Sequence, residues 1–504
     1  MKKLLLVTQF ILSAAIVMNA QSISIENVHK VTLRSFDAIK EGSEVKGYYF
    51  FYISDKIDKK TNEYTLQITD NNLTKLKDIK FQDSKNVTVL ESSFNGTDIV
   101  FMFYNDDSKT LEYQVYGADG KKKYSYFREL SKRDVEYMAI YFKAQAENED
   151  YVLLQPIEGK GFISNMPSRE ENDYTFQLDF YSTEKRKQWS YLPTGAAKSF
   201  SGTFLGYSNN IVYFTLVKAK AGLLKMLVGG MSSIELDISI VGLNIETGKQ
   251  VFERPVDRLK NQLLPTNMSE INGKTYINGL YLSQTSNIFK DDPLGFGFIE
   301  MDSKGTVLSE KYCSWNTDLN KVLDVNSKGK IDNFGYLFMH NMISTQNNEI
   351  YIIGEGFMKA GSVLSSKAKV TDIMMIKFDQ DLNVKSATIY GKNSNTASVQ
   401  GGTSAFLMGG LLKLGGNFDY VYSQVNKDRS SFSVCYSDYI KDKTYKGITF
   451  NSINYNDGQI TTDKINTKSD ASKSYILPGK QGQVLILDYY KKDKKLSAHL
   501  EKLN

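Results

Sequence analysis

Residues 111–127 read Leu-Glu-Tyr-Gln-Val-Tyr-Gly-Ala-Asp-Gly-Lys-Lys-Lys-Tyr-Ser-Tyr-Phe. Apolar and aromatic residues alternate with polar ones on both sides of Gly-Ala-Asp-Gly, which is typical of two β-strands joined by a tight turn. Asp and Gly favour such a turn because they tolerate left-handed backbone angles or cap their own backbone. Upstream, residues 98–104 form a short apolar run that predicts a further strand.

The same plan recurs along the chain, with turn centres near Asp119, Thr183, Thr247, Ser303 and Asp381. These centres are 64, 64, 56 and 78 residues apart, which is longer than common propeller repeats of about 40 to 50 residues. Four-stranded sheets repeated around an axis leave only short exposed edges. We therefore predict an all-β fold, a β-propeller of seven or eight blades with eight favoured; tandem β-sandwiches are the alternative. The repeating segments are Tyr64–Leu73, Leu111–Phe127, Tyr174–Tyr191, Ile238–Phe252, Gly297–Gly305, Ile373–Asn383 and Ile448–Gly458.

The two ends of the chain complement each other. Residues 483–490 and 496–500 predict a hairpin that no outer strand follows, and residues 23–28 predict the missing strand. The chain has seven prolines and lacks a low-complexity linker, so we predict one propeller domain over residues 21–504.

The first 20 residues have the layout of a secretory signal peptide. Lys2 and Lys3 precede a mostly apolar run that ends at Val17 and is too short to span a bilayer comfortably, and Ala20 offers a cleavage site. A retained anchor helix is the alternative. We therefore expect an extracytoplasmic protein, located in the periplasm, on the outer surface or secreted. No later stretch has 18 consecutive apolar residues, so no transmembrane helix is expected in the mature chain.

Composition argues against several classes of function. The formal charge is +5, or +3 without Lys2 and Lys3, and basic residues are interspersed with acidic ones, so no nucleic-acid partner is expected. The three histidines lie in distant segments, so no metal site is predicted. Because the chain lacks a Gly-x-Ser-x-Gly motif and any cofactor motif, no catalytic residue and no cofactor is predicted. Cys313 and Cys435 are expected to be separate buried thiols, with a disulfide as the alternative.

Four long insertions are expected on one face of the ring, where binding residues often lie. They are Val217–Ile234, Ser283–Gly295, Glu355–Thr371 and Gly391–Asn417. Two of them contain apolar, Gly-interrupted stretches, residues 219–231 and 405–414, which predict a docking surface or a cover for the central channel. Short helices packed on blade edges are the alternative. The candidate binding residues are Leu223, Leu224, Met226, Leu227, Phe289, Asp291, Asp292, Phe357, Phe406 and Leu407.

Residues 353–361, 370–379, 383–390 and 479–490 resemble a family of secreted, propeller-like proteins of unknown function from Bacteroidota-type bacteria. The resemblance implies export and a propeller-like fold. It carries over no catalytic residue.

Two functions remain open. The first is an exported, non-enzymatic binding or scaffold protein that engages a protein, a glycan or another envelope component through its long-loop face. The alternative is a polysaccharide-active hydrolase or lyase with carboxylates and tyrosines in the central funnel. An enzyme should gather two or more carboxylates with shifted pKa values in one concave pocket. The small number of histidines and the lack of an acid–base motif favour the first function.

Overall fold

The computed structural model describes residues 21–31, 35–132, 134–136, 152–170, 173–184, 188–195, 197, 199–219, 235–360, 367–399, 404–441, 445–467 and 470–503. These residues form eight antiparallel four-stranded blades, which confirms the predicted all-β fold and the favoured blade count. Blades 3 and 4 are linked by one parallel pairing, of Tyr174 with Ser199.

Strands are numbered β1–β33 in chain order, and each blade runs from its innermost to its outermost strand. The first four blades are blade 1, β2 (Phe36–Glu41), β3 (Glu44–Lys56), β4 (Thr61–Asp70) and β5 (Lys75–Ser84); blade 2, β6 (Val87–Phe94), β7 (Asp98–Asn105), β8 (Thr110–Gly117) and β9 (Lys122–Glu129); blade 3, β10 (Leu154–Ile157), β11 (Gly161–Glu170), β12 (Asp173–Ser182) and β13 (Gln188–Tyr191); and blade 4, β14 (Ser199–Ser208), β15 (Ile211–Ala219), β16 (Leu236–Asn244) and β17 (Gln250–Pro255).

The second half of the ring follows the same order, and blade 6 carries an additional short strand, β26 (Asn395–Ser398), beside β24. The blades are blade 5, β18 (Gln262–Ile271), β19 (Lys274–Leu282), β20 (Gly295–Met301) and β21 (Val307–Ser314); blade 6, β22 (Tyr336–Ser344), β23 (Ile350–Ala360), β24 (Lys367–Phe378) and β25 (Val384–Tyr390); blade 7, β27 (Tyr420–Val425), β28 (Ser431–Lys441), β29 (Lys446–Asn456) and β30 (Gln459–Asn466); and blade 8, β31 (Lys473–Pro478), β32 (Gln483–Tyr490), β33 (Lys495–Lys502) and β1 (Ser22–Ile25). The other described elements include the α-helix α1 (Ala405–Leu414) and two 3₁₀ turns, Val256–Arg258 and Leu319–Lys321, and residues 132 and 134–136 are also helical.

Closure of the ring is visible at both its inner and outer edges. At most junctions the innermost strands of neighbouring blades contact each other, including β31 of blade 8 with β2 of blade 1, and at the junction of blades 3 and 4 β14 contacts β11 and β12. On the outside, β1 pairs with β33 from Ser22 opposite His499 to Ile25 opposite Leu496, as the complementary chain ends predict. Contact between the first and last sheets requires a ring, so the alternative of tandem sandwiches is excluded.

The position of a strand within its blade explains its sequence pattern. In β7, six consecutive residues from Asp98 to Phe103 are buried, because neighbouring blades cover both faces of a central strand. The outermost β9 has no buried residue. Between blades 1 and 2, the Phe51 and Phe101 rings lie 4.7 Å apart. Burying one such side chain contributes about 1.5–3 kcal/mol, so the core cluster shared by blades 1 and 2 stabilises the contact between them.

Asp and Gly residues form the tight turns of the outer hairpins, as the sequence predicts. Asp302 Oδ1 accepts the backbone N–H groups of Lys304 at 2.9 Å and Thr306 at 2.8 Å. Gly305 follows with a φ of 78°, a left-handed angle that glycine adopts without strain. Asp379 opens an equivalent turn in blade 6.

The antiparallel order gives the ring two distinct faces. We call the side with the turns between strands one and two, and three and four, the short-turn face, and the opposite side the long-loop face. Residues 283–294 and the connection from β25 to β27 belong to the long-loop face. Residues 355–371, expected as an insertion, mostly extend β23 to Ala360 and begin β24 at Lys367.

Candidate functional site

Two of the predicted insertions meet on the long-loop face. Ser404 Oγ, at the start of α1, lies 3.3 Å from the carbonyl oxygen of Ile288 and donates a hydrogen bond to it. Leu407 packs against the cluster that contains Ile288 and Phe289. These contacts place residues 283–294 and 404–414 on one side of the ring, as the strand order predicts.

The apolar candidate residues in this region pack inside the protein. Phe289 is 8% exposed and Phe357 is 2% exposed, and Phe357 packs with Met408 of α1. Leu407 is half-buried. Residues 405–414 therefore form a short helix packed on the blades, which was the alternative interpretation of this stretch.

Both acidic candidates contact other residues of the protein, Asp291 within its own loop and Asp292 in a neighbouring connection. Asp291 is exposed, and its Oδ2 accepts the Asn287 N–H at 2.7 Å. Asp292 Oδ2 lies 3.8 Å from Lys328 Nζ. Leu223, Leu224, Met226, Leu227 and the side chain of Phe406 lie outside the described residues, and their role stays a prediction.

A buried ionic cluster that the sequence did not indicate lies between blades 6 and 7. Lys392 Nζ lies 3.2 Å from Glu355 Oε1 and 2.5 Å from Asp419 Oδ2. The Glu355 carboxylate also accepts the backbone N–H groups of Asp419 and Tyr420 at 3.0 and 3.1 Å. The His340 ring stacks on Tyr420 with the ring centroids 4.6 Å apart. A strand of blade 6, the connection to blade 7 and the first strand of blade 7 are thereby held together.

The cluster holds two acids and one ammonium group, the buried His340 Nε2 lies 3.3 Å from Glu355 Oε2, and burial raises the pKa of both acids. Burial raises the pKa of Glu355, and it raises the pKa of Asp419 to about 6 despite the neighbouring ammonium. Burial lowers the pKa of Lys392, but the two carboxylates outweigh this effect and the pKa is raised. A proton on Asp419 therefore relieves the excess negative charge.

An active site should combine shifted carboxylate pKa values with an open pocket, and these carboxylates meet only the first condition. Their pKa values are shifted, but the side chains of Glu355 and Lys392 are 0% exposed, and that of Asp419 is 20% exposed. A polysaccharide cannot touch the buried pair in this arrangement. The cluster therefore joins two blades and offers no surface for a polymer.

The short-turn face carries a groove of about 750 Å³ where the ring closes. Its walls come from blade 1 and from blades 7 and 8, at residues 43–46, 424–433 and 480–483. Ligand sites typically have volumes of about 300–1,000 Å³, so the groove is large enough for a small ligand. By comparison, the recess beside α1 and Trp315 on the long-loop face holds about 30 Å³.

Neutral hydrogen-bonding side chains of Ser, Asn and Gln make up half of the twenty residues in the wall of this groove. Three serines, Ser43, Ser431 and Ser433, add hydroxyl groups. Asn456 is exposed at its edge. The seven amide side chains of the wall are Asn71, Gln424, Asn426, Asn454, Asn456, Gln481 and Gln483.

Bonds between blades hold the wall in place. Gln424 Nε2 of blade 7 donates to the carbonyl oxygen of Gly479 in blade 8 at 2.9 Å, and Gln481 Nε2 donates back to Ser431 Oγ at 3.1 Å. Both amides retain a carbonyl oxygen that can accept from a ligand. Phe432 and Tyr455 stack beneath the wall, 4.9 Å apart and nearly parallel.

Two polar atoms of the wall have unused hydrogen-bonding capacity. Within the described part of the chain, Ser43 Oγ and Gln483 Oε1 are buried and have no hydrogen-bond partner. An unsatisfied buried polar atom costs about 1–3 kcal/mol, and both atoms have almost no surface that a ligand in the groove could contact in this arrangement.

Sequence reasoning missed this groove because its residues come from short turns and strand ends far apart in the chain. The signal available was the alternation of Gln424, Asn426, Ser431 and Ser433 with apolar neighbours, which also fits any half-buried strand. Closure of the ring brings these residues beside Lys46 and its neighbours.

In the described part of the chain, the histidines and cysteines do not assemble into a metal site. Among the described residues, no group of three or more His, Cys, Asp or Glu side chains is arranged to hold a metal ion. Cys313 and Cys435 are free and buried, as the favoured prediction has them, and burial raises the pKa of each thiol to about 12. None of the described helices has the length and apolar character needed to cross a membrane.

The described residues thus define an eight-bladed β-propeller with a polar groove across its point of closure. Over residues 1–504 the sequence matches the model described as "Family of unknown function (DUF6770)", and the chain belongs to that family. The family match confirms the resemblance to an uncharacterised propeller-like family. No curated protein matches the sequence.

Solved structures with similarity to this chain include two propeller-containing proteins. The WD40 domain of SCAP from fission yeast is 9% identical, with 95% of this chain and 94% of that chain covered and a TM-score of 0.38. Prolyl oligopeptidase B from Galerina marginata is 9% identical, with 92% of this chain and 56% of that chain covered and a TM-score of 0.40.

Proposed function

We propose that the protein is a non-enzymatic binding module that holds an oligosaccharide in the groove of the short-turn face. The observation that carries the proposal is a recess of about 750 Å³ with seven amides and three serines in its wall. Amides both donate and accept hydrogen bonds, as sugar hydroxyl groups do, so this wall suits a hydroxyl-rich ligand. Bonds between blades hold the wall before binding, which lowers the entropy cost of association.

The enzymatic alternative lacks support from the Glu355–Asp419 cluster, the pair of neighbouring carboxylates with raised pKa values among the described residues. A general acid must reach the substrate within hydrogen-bond distance. Glu355 is fully buried, and it already accepts backbone N–H groups and an ammonium group. We therefore assign the cluster to the cohesion of blades 6 and 7.

Binding is tested by calorimetric titration of residues 21–504 with a panel of neutral and acidic oligosaccharides. Gln481→Ala removes an amide from the wall, and Gln188→Ala, on the outer strand of blade 3, is the matched control. The proposal requires a dissociation constant that rises at least fivefold for Gln481→Ala and stays unchanged for Gln188→Ala. Equal binding by both variants, or no binding by any panel member, would overturn it.

We further propose that the protein acts outside the cytoplasm, in the periplasm, on the outer surface or after secretion. Support comes from the basic, apolar and small-residue zones of residues 1–20. The N-terminal sequence of the protein recovered from cell fractions tests this proposal. A mature chain that begins at Gln21 supports export, and an intact Met1 in the cytosolic fraction refutes it.

A further inference from the structure

The rim of the groove carries more positive than negative charge. Each of the three blades contributes one lysine, namely Lys46, Lys427 and Lys480, and the two acids of the lining are Glu44 and Asp428. The lining therefore has a formal excess of one positive charge.

Both acids are already engaged within the protein. Glu44 Oε2 lies 2.6 Å from Lys46 Nζ, and this bond holds the pKa of Glu44 below its usual range. Asp428 Oδ1 accepts the Ser430 N–H at 2.9 Å, which lowers the pKa of Asp428 in the same way. Neither acid neutralises the remaining two lysines by direct contact.

The other two lysines lack a carboxylate partner in the described part of the chain. Lys480 Nζ donates to Asn72 Oδ1, a neutral amide oxygen. Lys427 is exposed, and its charge lowers the pKa of Glu44 without an ion pair between them. Two ammonium groups from adjacent blades thus border the same groove and are available to an anion.

We infer that the bound oligosaccharide is anionic and carries carboxylate or sulfate groups that Lys427 and Lys480 recognise. The inference rests on the proposed function and narrows it to one ligand class. An exposed ion pair is weak, equivalent to at most about fivefold in affinity, so the lysines select the charged ligand and the amides supply most of the binding. Salt screens such contacts, so the selection falls as ionic strength rises.

Calorimetric titrations with two matched ligand pairs test the inference. The pairs are hexagalacturonate with its methyl ester, and dextran sulfate with dextran of equal length. The charged member of at least one pair should bind about three- to tenfold more tightly in 50 mM salt, and the difference should shrink in 500 mM salt. The pair that shows the preference identifies the anion as a carboxylate or a sulfate group.

Three variants assign the preference to the groove. Lys427→Met and Lys480→Met should each reduce the ratio between the affinities for the charged and the neutral member. Lys59→Met, in the β3–β4 loop on the opposite face, is the control and should behave as the wild type. Equal affinity for charged and neutral members overturns the inference but leaves glycan binding intact, and a preference that survives both groove variants also overturns it. Failure of all four ligands overturns the inference and the proposed function together.

Discussion

Replacement of Asp419 by asparagine should make the protein less sensitive to pH between pH 4 and pH 7. Burial raises the pKa of Asp419 from 3.8 to about 6 in the folded protein, so the protonated acid is favoured by folding. The stability that this proton confers is fully present below about pH 4 and is lost as the pH rises through about 6. The contribution of Asp419 to the free energy of unfolding of the wild type therefore falls between about pH 4 and pH 6.

The expected change in the free energy of unfolding follows from the pKa shift of Asp419. A pKa raised from 3.8 to about 6 corresponds to at most about 3 kcal/mol, because one pKa unit is equivalent to 1.36 kcal/mol and the proton is shared with the coupled Glu355 carboxylate. The side-chain amide introduced by Asp419→Asn cannot ionise, so the variant should lose this part of the pH dependence. A constant cost of about 1 kcal/mol is expected because Asn395 Nδ2 donates to both Asp419 oxygens in the wild type, at 3.0 and 2.9 Å, and an amide offers one acceptor.

Urea unfolding followed by tryptophan fluorescence at pH 4, 5, 6 and 7 measures the effect. The comparison uses the difference in free energy of unfolding between pH 4 and pH 7, because the constant cost cancels in that difference. Asp291→Asn, at an exposed loop position, controls for the loss of one charge. Parallel pH profiles for the wild type and Asp419→Asn would refute the assignment of a folded-state proton to Asp419.

Three further outcomes follow from the packing. Lys392→Met leaves two buried acids without their ammonium group and should lower the free energy of unfolding at pH 7 by about 3–5 kcal/mol in urea titrations; a change below about 1 kcal/mol would contradict the buried cluster. Ile25→Ala removes a buried side chain from the strand that closes the ring and should cost about 2–5 kcal/mol, whereas Ser24→Ala on the exposed side should cost little; equal melting temperatures for the two variants would argue against closure by β1. Cys313 and Cys435 should resist a thiol reagent at pH 8 in the folded protein and react after unfolding, and rapid modification of the folded protein would contradict their burial.

Local sequence patterns predicted the blades well because the residue types of each strand and turn depend on its own burial and backbone geometry. The run from Asp98 to Phe103 is buried on both faces as its apolar character indicates, and Asp302 and Gly305 form the expected turn. Closure by residues 22–25 was predictable because the C-terminal hairpin lacks a fourth strand.

The candidate site was harder to predict because it depends on contacts between distant blades. Glu355 and Lys392 are ordinary charged residues in the sequence, and only the packing of blade 6 on blade 7 buries them together. Likewise, Ser43 and Gln481 line the same groove because closure of the ring places blade 1 beside blade 8. The apolar stretch at residues 405–414 suggested an exposed surface, but an apolar helix covered by its own neighbours has the same composition.

Hydrogen–deuterium exchange with and without an acidic oligosaccharide distinguishes the two faces of the ring in one experiment. Occupation of the groove predicts slower exchange at residues 42–46, 424–433 and 479–483, and unchanged exchange at residues 283–294 of the long-loop face. Protection confined to the long loops, or no protection at the short turns at saturating ligand, would contradict a binding site at the point where the propeller closes.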